Sequence, residues 1–304
     1  MIKSITVTNY LGDSIKLELS RPEKSGFAVK SISGLGPGKA IINTSEVATT
    51  DGSVFNSSRL PNRNIVISLK YLWIDSIEEA RYRSYKYFPL NKTVKLLIET
   101  DTRLAEIEGY VESNEPSIFS NDSGTDISII CTDPLFYSAK EGGSNVTNFH
   151  GIEPMFEFPF SNESLTENLI EVGIIKTMVE NVVTYEGGFD IGVTMTIHAV
   201  GSVSNINIYN VGTRESMFID TDRIAALTGS GIVSGDDIII STVKNNKSIK
   251  LIREGKTTNI LNALDKNSDW FTLTRGDNVF AYTAEDGLTN IQFTIEHRLA
   301  YEGV

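Results

Sequence analysis

The strongest constraint on the fold is a two-residue rhythm that recurs along the chain. Ser14-Ile15-Lys16-Leu17-Glu18-Leu19 alternates polar and apolar residues, and Asn64-Ile65-Val66-Ile67-Ser68-Leu69-Lys70-Tyr71 does so with β-branched side chains. Successive side chains point to opposite faces of a strand, so each segment buries one face and wets the other. The N-terminal residues read as a strand from the start. Further strands are expected at Val94–Thr100, Leu104–Val111, Asp126–Cys131, Val193–Val200, Ile206–Tyr209, Met217–Ile219, Asp237–Thr242, Ser248–Arg253, Trp270–Leu273, Val279–Thr283 and Ile291–His297. Gly, Asn, Asp and Ser cluster between them, as turns require. Many short strands with few helical interruptions point to sandwiches or barrels rather than βαβ units.

One helix is expected, from about 76 to 88. Asp75 can cap it, and Glu78 follows at the spacing of a capping box. Ile77, Ala80, Ser84, Tyr87 and Phe88 share one face, and Pro89 stops the helix. Tyr82 and Tyr85 lie off that stripe and read as the rim of a docked helix. The small polar stretch Ser138–Asn145 has linker composition, and a new apolar block opens at Glu153–Pro159. The expectation is a mainly β chain of two domains, 1–140 and 141–304, with the helix in the first.

Composition narrows the function. Lys+Arg total 27 against 39 Asp+Glu, a formal charge of −12. Such a surface repels nucleic acid unless a local basic patch exists. The densest basic cluster, Arg81, Arg83 and Lys86, is offset by Glu78 and Glu79. The single Cys131 allows neither an internal disulfide nor a cysteine-based zinc site. No apolar run reaches the roughly 20 residues of a membrane-spanning helix, so no membrane insertion is expected. The N-terminus lacks the apolar core of a signal peptide, and synthesis without that route is expected.

Catalytic patterns are absent or weak. His150, His198 and His297 are isolated, with no H-E-x-x-H and no pair at metal-ligand spacing. No G-x-S-x-G occurs. Cys131 ends an apolar strand and reads as a buried, inert thiol. Gly34-Leu35-Gly36-Pro37-Gly38-Lys39 has the look of a phosphate loop, but strand-like Ala40-Ile41-Ile42 follows where a helix is needed. Asp220-Thr221-Asp222 lacks the glycine and distal glutamate of a calcium loop. No catalytic residue, cofactor or metal is expected, and binding or assembly is favoured over catalysis.

Several motifs, in order along nearly the whole chain, resemble one family. They are Gly34-Leu35-Gly36-Pro37-Gly38, then Asp51-Gly52-Ser53-Val54-Phe55-Asn56-Ser57-Ser58-Arg59, then Arg63-Asn64-Ile65-Val66-Ile67. Glu108-Gly109-Tyr110-Val111, Cys131-Thr132-Asp133-Pro134-Leu135-Phe136 and Trp270 through Asn278 follow. The set is similar to the distal tail proteins of long-tailed bacteriophages of Gram-positive hosts. The resemblance implies an N-terminal ring-forming belt domain with one helix and a C-terminal galectin-like β-sandwich. It implies a hexameric ring at the virion tail tip, made in the host cytoplasm. Its partners would be the tail tube protein, a tail-associated hub or lysin protein, and receptor-binding proteins on the outer domain. DNA would pass through the lumen without specific binding. Six copies at −12 each carry −72 formal charges, which suits a channel that must not trap phosphates.

Two further expectations come from the residues. Between Ala40–Ile42 and Ile65–Leu69 lie some twenty mostly polar residues, and structureless loops of that length are uncommon unless functional. The segment Asn43–Asn64 is therefore expected to lie against a neighbouring protomer, with Phe55, Arg59 and Arg63 as anchors, because aromatic and arginine side chains dominate interfaces. The alternative is a solvated hairpin with Phe55 folded back on its own sheet. Trp270 is expected to be buried. The competing function is a carbohydrate-binding sandwich that adheres to cell-wall sugars, with Trp270, Trp73 and Tyr282 as possible stacking residues; a peptidoglycan hydrolase is a more distant third.

Overall fold

The alternating segments assemble into antiparallel sheets in the computed structural model, which describes residues 1–46, 48, 51–72, 76–117, 123–139, 144–154, 173–177 and 179–304. Two compact units form, Met1–Gly143 with Ala300–Val304, and Ser144–Leu299. The return of the last five residues to the first unit differs from the expected division. Strand pairing dictates it, and the sequence of so short a strand does not announce it.

The first unit contains β1 (Ile2–Asn9), β2 (Ser14–Glu18), β3 (Phe27–Ser33), β4 (Ile41–Glu46), β5 (Ser53–Arg59), β6 (Arg63–Tyr71), β7 (Thr93–Thr100), β8 (Leu104–Pro116), β9 (Gly124–Cys131) and β10 (Phe136–Ser138). Its main sheet runs β2-β1-β7-β8-β9-β6-β3. β10 pairs with β8 and with the returning residues Ala300–Tyr301. Alternate residues enter one core: Ile5 and Val7, Ile65, Ile67 and Leu69, Leu96 and Ile98, Ile127 and Ile129. Leu17 on one edge strand and Phe27 on the other enter the same core, so the sheet curls round it. β4 and β5 stand outside that sheet as a separate pair.

Helix α1 (Ile77–Tyr87) closes one side of this core through Ala80 and Ser84. Ser76, rather than Asp75, is the residue that caps it, accepting from the Glu79 N–H at 3.1 Å. The extended backbone of Ser76 sets the hydroxyl at the geometry a cap needs. Asp75 and Trp73 lie outside the described residues. Tyr82 and Tyr85 are exposed and stack edge to face, and Phe88 is buried.

The second unit contains β11 (Ser144–Asn148), β12 (His150–Pro154), β13 (Gly173–Thr177), β14 (Glu180–Tyr185), β15 (Thr194–Ala199), β16 (Ser204–Asn210), β17 (Glu215–Ile219), β18 (Asp237–Ser241), β19 (Ser248–Arg253), β20 (Lys256–Asn259), β21 (Gly276–Asp286) and β22 (Ile291–Arg298); β23 (Ala300–Tyr301) is the returning strand. A six-stranded sheet, β11-β22-β15-β18-β19-β20, faces a four-stranded one, β14-β21-β16-β17, and β12 pairs with β13. Aromatic rings knit the two faces: Tyr282 of β21 lies edge-on to Phe293 of β22 at 5.2 Å, and Phe149 touches both. This is a two-sheet sandwich with alternating inward side chains.

A second helix, α2 (Thr221–Thr228), was not expected. Asp220 caps it by accepting from the Asp222 and Arg223 N–H groups, and Gly229 ends it in the left-handed conformation. The Asp220-Thr221-Asp222 cluster, which fails as a calcium loop, is thus a helix start. Beyond it, Arg253 grips the buried Asp236 with two hydrogen bonds of 2.8 and 2.6 Å and also donates to Ser230 Oγ and the Gly231 carbonyl. The strand expected at Trp270–Leu273 is a bridge at Leu273 alone. Phe271 and Leu273 point inward and are fully buried, while Trp270, one residue out of phase, is only half-buried beneath the Lys247 ammonium.

Candidate functional site: an exposed ribbon on a buried arginine

The most unusual surface in the first unit is the β4–β5 ribbon. Every residue of both strands is exposed. The register sets Thr44 opposite Phe55 and Ile42 opposite Ser58, with a bulge after Asn43. Alternation then places Ile42 and Phe55 on one face and Ile41 and Val54 on the other. Ile42 and Phe55 are each 62% exposed. Polar cross-strand bonds hold the pair together, Asn43 Nδ2 to Ser57 Oγ at 2.9 Å and Asn56 Nδ2 to Ser45 Oγ. A lone two-stranded hairpin is marginal in water, and apolar groups on both its faces gain stability only when something covers them.

The segment between the apolar strands therefore leaves the core as expected, but it is paired rather than loop-like, and Phe55 does not fold back on its own sheet. Phe55 and Arg59 both lie on the open ribbon. Arg63 does not join them. It begins β6, is 7% exposed, and its guanidinium is spent inside its own unit. Nε donates to the Pro134 carbonyl at 2.7 Å, Nη1 to Gly34 and Gly36 at 2.6 Å each, and Nη2 to Glu302 at 2.5 Å. The same group lies 4.7 Å over the Phe136 ring. Burial lowers its pKa, with Cys131 acting in the opposite sense, yet a guanidinium stays charged in proteins. Arg63 thus lies buried at the start of β6, apart from the exposed side chains of the ribbon.

The motifs noted in the first unit meet around Arg63. The glycine turn offers carbonyls to a cation, the reverse of a phosphate loop. Gly34 has φ +84°, and a Cβ there would lie 2.1 Å from the Asn64 carbonyl oxygen. Cys131 is opposite Arg63 in the β6–β9 ladder. A Cβ on Gly109 would strike the Cys131 sulfur at 2.8 Å, so that glycine makes room for the cysteine. Burial pushes the Cys131 thiol up to about 12, which leaves it protonated and unreactive. In the second unit, the Asn278 side chain closes the Thr274–Gly276 turn and is buried.

Reactive arrangements are few. His198 Nδ1 lies 2.7 Å from Asp237 Oδ1, directly across the β15–β18 ladder, and both side chains are partly exposed. His297 is buried against Tyr185, and burial lowers its pKa. Among the described residues no three His, Cys, Asp or Glu side chains cluster at metal-binding distance. An open groove of about 550 Å³ over β1 and β7 is lined by charges that satisfy one another. Glu99 accepts from Ser4 and Lys16, and Asp101 pairs with the N-terminal amine and Lys3. Of the residues expected for sugar stacking, Tyr282 is buried, Lys247 covers the Trp270 ring at 5.2 Å, and Trp73 lies outside the described residues.

Against known proteins, the sequence matches no protein-family model and no curated protein. Solved structures do match. The Dit protein of phage SPP1, described as a paradigm of the hub adsorption apparatus in phages infecting Gram-positive bacteria, superposes with a TM-score of 0.65. The chain has the fold of that hub protein. The match covers 97% of this chain and 98% of the other at 14% identity. Two structures of the phage p2 baseplate in its activated conformation, with calcium and with strontium, match with TM-scores of 0.52 at 12% identity. They cover 98% and 97% of this chain and the same shares of their own. The likeness thus runs over nearly the whole chain, not the sandwich alone.

Proposed function

We propose that this chain is a structural protein of a bacteriophage tail tip or a phage-derived particle, and that it works as a ring rather than as an enzyme. One observation carries the reading: an end-to-end fold likeness to a protein described as a hub of a tail adsorption apparatus. In this reading the first unit is the belt of a six-fold ring. The second unit faces outward and holds receptor-binding proteins. The tail tube lies above and a hub or lysin protein below, and DNA passes through the lumen without specific binding.

The ribbon is the element that mates neighbouring copies. A ring needs a heterologous contact, in which one patch meets a different patch on the next copy, and closure depends on the rotation between them. A projecting ribbon with apolar side chains on both faces suits such a contact, because it can slot between two surfaces. Native mass spectrometry and negative-stain imaging test the reading. Six chains of 33.5 kDa give a particle of about 201 kDa with six-fold symmetry. A chain that stays monomeric at high concentration, or closes with another copy number, refutes the hexamer.

A further inference from the structure

Arg63 joins segments distant in sequence. Its acceptors are Gly34 and Gly36, which precede the ribbon, Pro134 ahead of β10, and Glu302 at the end of the returning strand. Only three residues separate it from the end of the ribbon. The Val304 N–H adds a bond to the Leu35 carbonyl at 3.1 Å. The segments that lead into and out of the ribbon, at Gly34–Gly36 and Arg63, are therefore fastened at one point, and the fastening includes the chain that has come back from the second unit.

We infer that Arg63 is a positioning residue: it fixes the direction in which the ribbon leaves the first unit by clamping its root against the returning segment Ala300–Val304. A two-stranded ribbon has little rigidity of its own, so its aim depends on its root. Four charge-assisted bonds from one planar group, fixed in a fork, define an orientation that a flexible ammonium does not reproduce. No water-exposed alternative competes, because the guanidinium is buried and its outer face is occupied by Phe136. The Gly303 backbone presses on the same turn. A Cβ at Gly303 would lie 2.8 Å from the Leu35 carbonyl oxygen and 2.9 Å from the Gly36 carbonyl carbon, so any side chain there pushes the returning segment off the turn. At Gly36 an added Cβ meets nothing within 4 Å.

The inference takes its functional meaning from the ribbon as the mating element, but its test is made on the isolated chain and is independent of assembly. Spin labels at Ser58→Cys on the ribbon and Glu108→Cys on β8 report the ribbon's aim; labels at Lys16→Cys and Glu108→Cys report the main sheet. The buried Cys131 stays unlabelled. In the parent chain both pairs give narrow distance distributions. Gly303→Val and Arg63→Met broaden the ribbon pair by about a factor of two or more and leave the sheet pair narrow. Arg63→Lys falls with Arg63→Met, and Gly36→Ala matches the parent. An unchanged ribbon pair in Gly303→Val overturns the inference. So does equal broadening of both pairs, which makes the arginine an ordinary core residue. If Arg63→Met fails to fold, Gly303→Val, which leaves the arginine in place, decides alone. A broadened ribbon with normal ring formation would sink the mating role of the ribbon and spare the clamp.

Discussion

Replacing Phe55 with alanine separates the stability of the chain from the stability of its assembly. Phe55 is 62% exposed in the free chain. A phenylalanine offers roughly 200 Å² of surface, so covering the exposed part removes about 120 Å² from water. At about 25 cal/mol per Å² that is about 3 kcal/mol for each contact, or a factor of about 100 in its equilibrium constant. Every contact in a ring is the same contact, so the loss is repeated at each. The concentration at which rings form should rise by about two orders of magnitude or more. The monomer loses little, because exposed substitutions usually change stability by no more than about 0.5 kcal/mol. Light scattering against concentration reads the first quantity and thermal melting of the monomer the second. Adding Arg59→Ala should widen the gap. Rings that form at the parent concentration in the double variant refute the ribbon as the mating element, and a large drop in monomer melting shows that Phe55 supports its own unit instead.

The other predictions concern the second unit. Phe271→Ala should cost about 3–5 kcal/mol, as for a fully buried aromatic, while Trp270→Ala should cost clearly less; calorimetry that ranks them the other way removes the corrected phase of that segment. Asp236→Asn should cost about 3 kcal/mol, because it strands the Arg253 guanidinium in its clamp. Burial alone would raise the Asp236 pKa, but the Arg253 bonds, the Val233 N–H and the Arg253 charge outweigh it and the net shift is downward. The stabilisation is therefore complete above the ordinary aspartate range near 4 and is lost as pH falls below it. Melting from pH 6 to 2 should show a steeper acid loss in the parent than in Asp236→Asn.

Most of the scaffold is legible in the sequence because a half-buried strand needs only a two-residue rhythm. Ile65, Ile67 and Leu69 declare β6 without reference to any other part of the chain. The elements that were missed depend on phase or on distance. Trp270 drew attention by its size, yet burial follows phase, and the phase belongs to Phe271 and Leu273. Helix α2 has only eight residues, too few for a helical stripe to stand out, and its cap presents itself as an acidic cluster. The ribbon hides its pairing because Asn43, Ser45, Asn56 and Ser57 join it through polar side chains instead of an alternating apolar face. Arg63 is the clearest case. Its residue type and position beside a polar segment suggest an interface, and only the convergence of carbonyls from residues 34, 36, 134 and 302 reveals that it is buried.

The return of the chain to the first unit changes how force travels through the molecule. The second unit is an insertion, entered after β10 and left just before β23, and those two strands are hydrogen-bonded neighbours through Phe136–Tyr301 and Tyr137–Ala300. It hangs from two threads instead of one. A pull on the second unit divides between the threads and arrives at a single spot on the main sheet. A protease that cuts one thread leaves the tether intact. Because the threads enter side by side, whatever is hung between them can be exchanged without moving the anchor.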